Sequence, residues 1–295
     1  MIEPSAINVV DAHTHAFPPG WVRDRAPLLA RDAWFAALYG TPTARMIDAG
    51  ELLAAMDTAG VSQAVICGWP WVDADLCREH NDYLATATRA SDGRLAWLGC
   101  VAPADSGAAA ETARCLDLGA SGIGELNADA QGFDLDDPSA LGGVAEVLIS
   151  QGRPLLLHAS EPVGHAYPGK GTATPDRLLR FLAACPDLHV VLAHWGGGLP
   201  FYELMPEVAL LTRNVHYDTA ASSYLYRPQV FRAVLDIVGS ERVLWASDHP
   251  VLTMSKFLNR TRRMAALVPD EERLVMSDNA RRIYRLPPID TGLTP

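Results

Sequence analysis

Positive charge is scarce in this 295-residue chain: 24 Lys and Arg stand against 35 Asp and Glu, a formal net charge of −11. That excludes a broad basic surface for nucleic acid, and it gives no attraction to an anionic membrane. Cysteine is sparse and unpatterned. Cys67, Cys77, Cys100, Cys115 and Cys185 are odd in number and form no C-x-x-C. They read as reduced thiols of a cytoplasmic protein, not as a disulfide frame or a zinc knuckle. No apolar run approaches the ~18 residues of a membrane helix. Met1-Ile2-Glu3-Pro4 lacks the positive region and apolar stretch of an export signal, so a cytoplasmic location is the expectation. No glycine-rich phosphate loop follows the first apolar run, which disfavours an open dinucleotide-binding sheet. Hydrophobic residues make up 49% of the chain, enough for a substantial core.

Short β-like runs alternate with helical patterns from end to end. The runs are Ile7–Val10, Gln63–Cys67, Leu95–Val101, Gly122–Leu126, Pro154–Leu157, His189–Ala193, Val215–Asp218 and Arg242–Ala246. Helical segments lie between them: one around Glu51–Met56 ending at Gly60, one opened by Thr174-Pro175, and one over Arg227–Leu235 stopped at Gly239. Such alternation implies parallel strands joined by right-handed crossovers, and eight units in this length predict a single-domain α/β fold, the (β/α)8 barrel. Residues 1–295 read as one domain, with a frayed tail from about 290. The first connection, 16–44, is long and rich in aromatics and proline. It is a candidate lid over the barrel mouth, or else an insertion packed on the rim.

Barrel active sites lie at the C-terminal ends of the strands, and there the sequence is informative. The first run leads into Asp11-Ala12-His13-Thr14-His15, whose histidines, two apart on a strand, share a face. The fourth ends in Glu125, the fifth in His158, the sixth in His194 and the eighth in Ser247-Asp248. Apolar strands that each end on an imidazole or carboxylate would be hard to place in a dry core, but they suit zinc, or another divalent ion such as manganese.

These residues carry a resemblance. Asp-Ala-His-Thr-His, His158, Ala193-His194-Trp195-Gly196-Gly197-Gly198, Trp245-Ala246-Ser247-Asp248-His249-Pro250 and the late Ser277-Asp278-Asn279-Ala280 resemble the amidohydrolase superfamily. Its amidohydrolase-2 group, which includes aminocarboxymuconate-semialdehyde decarboxylase, is the most similar branch. The resemblance implies that His13, His15, His158 and Asp248 bind metal. It also implies that His194 contacts the activated water or a second ion, and that Asp248 takes the water's proton. A divalent ion lowers the pKa of bound water to about 7, so hydroxide is available at neutral pH.

Glu125 departs from the decarboxylase pattern. Gly122-Ile123-Gly124-Glu125 is similar to the strand-four end of TatD-like deoxyribonucleases, where a glutamate bridges two metals. Glu125 is therefore either a metal ligand, with one or two ions bound, or a carboxylate orienting a ligand histidine. In the loop after the fifth strand, Lys170 and Tyr167 are candidate substrate contacts with His165 assisting, and Trp195 is another. Each has a plainer reading as a surface or packing residue. Tyr226 and Arg227 are weaker candidates, and His80, His189, His216 and His249 read as structural.

The expected function is hydrolysis of a small amide, lactone or related ester by metal-activated water, with Asp248 as proton shuttle. The alternative is non-oxidative, metal-dependent decarboxylation of an aromatic or unsaturated acid. A nuclease and a non-catalytic metal-binding protein rank behind both. The expected partner is a small-molecule substrate, without nucleic acid or membrane. Oligomeric state is open, a homodimer being the commonest form of soluble oligomer.

Overall fold

In the computed structural model, which describes residues 7–288, eight parallel strands follow one another in sequence order, β1 to β8. They are β1 Val10–Thr14, β2 Gln63–Cys67, β3 Leu95–Gly99, β4 Gly122–Leu126, β5 Leu155–Leu157, β6 Val190–Leu192, β7 Val215–Asp218 and β8 Val243–Leu244. Just past the end of β8 the chain returns to β1: Ala12 N donates to Trp245 O at 3.0 Å, and Asp248 N to His13 O at 3.0 Å. A parallel bridge between Thr14 and His249 completes the ring. This is the expected (β/α)8 barrel. The anticipated tail from about 290 lies outside the described residues.

Strand periodicity sorts the side chains into two layers. Val10, Ala12, Val65, Cys67, Leu98, Leu156, Val191, Ala193, Leu244 and Ala246 pack with one another inside the barrel. Their alternates, among them Ile66, Trp97, Ile123, Leu155, Leu157, Leu192, Tyr217 and Trp245, pack outward against the helices.

Two irregularities break this alternation, and both lie at site residues. Between Asp11 and Thr14 the first strand uses three steps where its neighbour takes two, from Ala64 to Ile66. Between Ile123 and Leu126 the fourth does the same against Leu155 to Leu157. An extra residue of this kind re-aims the side chains beside it. Counting from Val10 and Ala12, strict alternation would turn His13 and His15 outward. Counting from Ile123, it would turn Glu125 outward. The bulges bring all three to the centre. Gly124 makes the second possible: it has φ +138° and a Cβ there would run into the backbone of Leu156.

The first connection contains three short helices, α1 Pro19–Arg23, α2 Ala26–Arg31 and α3 Ala33–Tyr39. Phe17, Phe35 and Tyr39 from this stretch pack with Trp69 and Trp71 beyond β2. Arg25 Nη1 donates to the carbonyls of Tyr39 (3.1 Å) and Ala44 (2.8 Å), fixing the end of α3. Leu38 lies against Gly169 in the loop after β5, so this aromatic cluster reaches across to the far side of the mouth. The next two helices are α4 Ala49–Ala59 and α5 Ala74–Arg89. α4 begins in a capping box of Asp48 and Glu51 and stops at Gly60 in the left-handed conformation, the expected boundary. Among the described residues, no helix is long and apolar enough to cross a membrane.

Candidate metal centre

Six buried side chains from five strand ends converge at the mouth. His13, His15 and Asp248 form one group of potential ligand atoms, and Glu125, His158 and His194 form another. Glu125 joins the two groups. Its Oε2 lies 3.4 Å from His13 Nε2 and 3.9 Å from His15 Nε2. Its Oε1 lies 2.8 Å from His158 Nδ1 and 3.3 Å from His194 Nε2. His15 Nε2 is 3.4 Å from Asp248 Oδ1, and His13 Nε2 is 3.9 Å from the same oxygen. The fourth donor beside His13, His15 and Asp248 is thus Glu125, with His158 on its far side.

The partners of the outer ring nitrogens show what the inner ones do. His13 Nδ1 faces Asp218 Oδ2 at 2.8 Å. His15 Nδ1 faces the Cys67 carbonyl at 3.3 Å, and His194 Nδ1 the Ala220 carbonyl at 3.2 Å. Carboxylates and carbonyls only accept, so each of these nitrogens carries its proton, and each ring, when neutral, turns a lone pair inward. Yet His13 Nε2 and His15 Nε2 are 3.2 Å apart. Lone pairs facing each other and a carboxylate in a buried site need a shared cation. Ligands held about 2.1 Å from one ion are roughly 3.4 Å from each other in a tetrahedron, and His13 Nε2, His15 Nε2 and Asp248 Oδ1 lie 3.2–3.9 Å apart, with Glu125 Oε2 3.4–3.9 Å from the two histidines. The donor set therefore fits a divalent metal, and each outer contact orients a ligand ring.

The electrostatics agree. Burial opposes charge on His194, but Glu125, Asp248 and Asp218 outweigh it and push its pKa up to about 9. Burial likewise opposes ionisation of Glu125, yet His13, His158 and His194 hold it well below the usual carboxylate range. Asp248 is lowered against the same desolvation by His15, His13 and His194. Three buried carboxylates thus favour positive charge at one point.

Asp218, at the end of β7, was not singled out from sequence. Fully buried, it accepts from His13 through Oδ2 and from the backbone N–H groups of His194 and Ala220 through Oδ1, at 2.9 Å each. A signal existed: Val215-His216-Tyr217-Asp218 is another apolar run ending on a carboxylate. Tyr39, one of the aromatics of the first connection, also lies near the site. It stands with ring centroid 5.2 Å from Trp69, which is edge-on to His15 at 6.2 Å. Burial, and then the nearby Asp248 carboxylate, hold its phenol above the ordinary range.

The loop candidates are placed differently from expectation. Lys170 Nζ donates to the carbonyls of Val163 (2.6 Å) and His165 (3.2 Å). Tyr167 donates to Glu161 Oε2 at 2.9 Å. Tyr167, Lys170, Glu161, His165 and Tyr226 line a cavity of about 310 Å³ whose walls do not include the six converging residues. Trp195 is fully buried edge-on to Phe231, with centroids 5.0 Å apart, among packing side chains and away from the mouth. Arg227 is exposed, one residue before the Pro228 turn that leads into the helix Val230–Val238. His80 Nε2 donates to Ala16 O at 2.9 Å, and His249 Nδ1 to Leu252 O at 3.0 Å.

A family model described as Amidohydrolase (Amidohydro_2) matches residues 10–286. Among curated proteins no relative matches. Several solved structures share the fold. The 5-carboxyvanillate decarboxylase of Sphingomonas paucimobilis superposes with TM-score 0.78 at 23% identity, over 96% of this chain and 100% of that one. The 5-carboxyvanillate decarboxylase of Novosphingobium aromaticivorans, complexed with manganese and 4-hydroxy-3-methoxy-5-nitrobenzoic acid, gives 0.76 at 21% identity, over 95% and 97%. The 2,6-dihydroxybenzoate decarboxylase from Rhizobium gives 0.72 at 20%, over 95% and 99%.

Proposed function

Because the chain belongs to the amidohydrolase family, we propose that it is a metal-dependent carboxy-lyase that removes carbon dioxide from a small aromatic or unsaturated carboxylic acid. This reverses the order expected from sequence, where hydrolysis led. What carries the reading is the convergence of His13, His15, Asp248 and Glu125 on one point at the mouth, in a fold shared along nearly its whole length with decarboxylases. Manganese is the first candidate ion, since one of those relatives was solved with it. Zinc is the alternative for this donor set.

A divalent ion bound here would polarise a substrate oxygen. The chain's residues supply the rest. His13 and His15, oriented through Asp218 and the Cys67 carbonyl, would hold the ion with Asp248 and Glu125. Decarboxylation breaks one carbon–carbon bond and leaves the electron pair on the substrate carbon, which must take up one proton. Asp248 and His194, both at the mouth, are the groups able to hold and pass that proton. The aromatic cluster of Tyr39 and Trp69 closes one side and excludes water. The loop 16–44 would act as a fixed roof more than a moving lid, because Arg25 and the packing around Phe35 hold it.

One observation favours the hydrolytic reading as second: Glu125 spans both groups of ligands, as a bridging carboxylate would. Product analysis separates the two. Purified protein loaded with manganese or zinc is offered hydroxylated benzoates alongside lactones and esters of similar size. Carbon dioxide release from the acids supports the lyase; acid or alcohol release from the lactones and esters alone overturns it.

A further inference from the structure

We propose that the cavity beside the metal centre is a separate binding site for a small zwitterion, a molecule of amino-acid size with an ammonium group at one end and a carboxylate at the other. The proposal depends neither on the metal nor on the reaction.

The cavity opens between the loop after β5, the chain that follows His194, and the loop after β7. Its volume of about 310 Å³ lies at the lower end of the range for small-molecule pockets, and Glu161, Tyr167, Lys170, Phe201, Tyr202 and Tyr226 are among its walls. Two glycines shape it. Gly197 lets the chain after His194 close on the Ser160 backbone, where a Cβ could not fit. At Gly198, with φ +93°, a Cβ would project between the Tyr226 hydroxyl at 3.6 Å and the Phe201 ring at 3.9 Å, so glycine keeps this side open.

The chemistry of the walls points to the occupant. Among the described residues, neither Glu161 nor Lys170 is ion-paired. Glu161 Oε2 accepts from the Tyr167 hydroxyl at 2.9 Å, and Lys170 Nζ commits two of its three N–H groups to the carbonyls of Val163 and His165. Glu161 Oε1 and the Tyr226 hydroxyl have no hydrogen-bond partner. Tyr167 serves both charges: its hydroxyl is bound to Glu161, and Lys170 Nζ lies over its ring, 5.7 Å from the centroid. Burial first, and then the Glu161 carboxylate, hold the Tyr167 and Tyr226 phenols above the ordinary range, so both remain hydroxyl donors beside that charge. A cavity with one unpaired charge selects an ion; this one, with a carboxylate and an ammonium held apart, selects a molecule that carries both. Each end of such a ligand gains a charge-assisted hydrogen bond. The aromatic faces of Phe201, Tyr202 and Tyr226 favour an ammonium and cover an apolar body between the two ends.

Calorimetry on the full-length protein, with and without zinc, tests the proposal with three probes of similar shape: phenylalanine, phenethylamine, which lacks the carboxylate, and 3-phenylpropionate, which lacks the ammonium. Phenylalanine should bind both forms of the protein. Each singly charged analogue should bind at least about tenfold more weakly. Glu161→Gln should abolish the preference for phenylalanine over 3-phenylpropionate, and Lys170→Met the preference over phenethylamine, with circular dichroism unchanged. Absence of phenylalanine binding, equal affinity for the three probes, or binding that requires zinc overturns the proposal. Protein that binds phenylalanine but no metal leaves this site standing and removes the metal reading instead.

Discussion

At the scale of single residues, the site is held by contacts one bond removed from the proposed ligands. Asp218 is the clearest case, since it serves a ligand side chain on β1 and the backbone that carries His194. Asp218→Asn keeps the shape but can turn an amide N–H toward His13 Nδ1, which favours the tautomer that protonates Nε2. We expect metal affinity to fall by about 10–100-fold with the circular dichroism unchanged. Unaltered affinity would remove Asp218 from this role. Asp248→Asn and His13→Ala should each reduce turnover by at least about 100-fold while the protein remains folded, measured on whichever substrate the product analysis identifies. These ligands were legible in the sequence because each ends an apolar run. Asp218 ends one too, but nothing in a list of strand ends distinguishes a carboxylate that binds an ion from one that orients a histidine.

At the scale of elements, the bounds of β2, β4 and β7 were read correctly, residue for residue, and β3, β5, β6 and β8 differ only in being shorter. The apolar run Ile7–Val10 was read as leading into the histidine pair on one strand; β1 begins only at Val10 and runs to Thr14, so the pair lies at its end and its start is later than the run. Asp11 and His13 are poor strand formers by propensity. They are extended here because the barrel gives them partners: Asp11 accepts from Ser247 N at 2.9 Å and from its hydroxyl. Tertiary contact overrode local preference, and it was the spacing of the two histidines, not their propensity, that marked the strand. The roof was visible as a stretch of aromatics, but its attachment was not. Arg25→Ala should detach α3 by removing two charge-assisted bonds to carbonyls. A stability loss of about 1–3 kcal/mol and faster amide exchange over residues 33–44 are expected. Exchange unchanged from the parent protein would show that packing alone holds the roof.

At the scale of the whole molecule, acid should destabilise the barrel through buried histidines outside the candidate metal site. His216, mid-strand in β7, is held neutral by burial first and then by Arg282, Arg242 and His189, its pKa lowered to about 3. His80, buried beside the roof, is lowered to about 4, chiefly by burial. For both, the folded-state pKa lies below the unfolded value near 6.5, so the unfolded chain binds the extra proton. Stability is full above pH 6.5 and declines as pH falls toward 4 and then 3. Between pH 7.5 and 5 each contributes a loss of about 2 kcal/mol. Urea unfolding of metal-free protein should show it. His216→Gln should flatten the pH dependence by its share; a slope as steep as that of the parent would mean that His216 is not held neutral.

The two bulges have a consequence for how such a protein could be gained or lost. A chain lacking one residue in β4 would return to plain alternation, keep the helices, the core and the ring of strands, and turn Glu125 out among the packing side chains. The same deletion in β1 would send His13 and His15 away. Catalytic competence in this barrel is thus stored as a count of residues as much as a choice of them. Kinship that looks secure by every substitution can still separate a working enzyme from an inert scaffold by a single gap in the alignment.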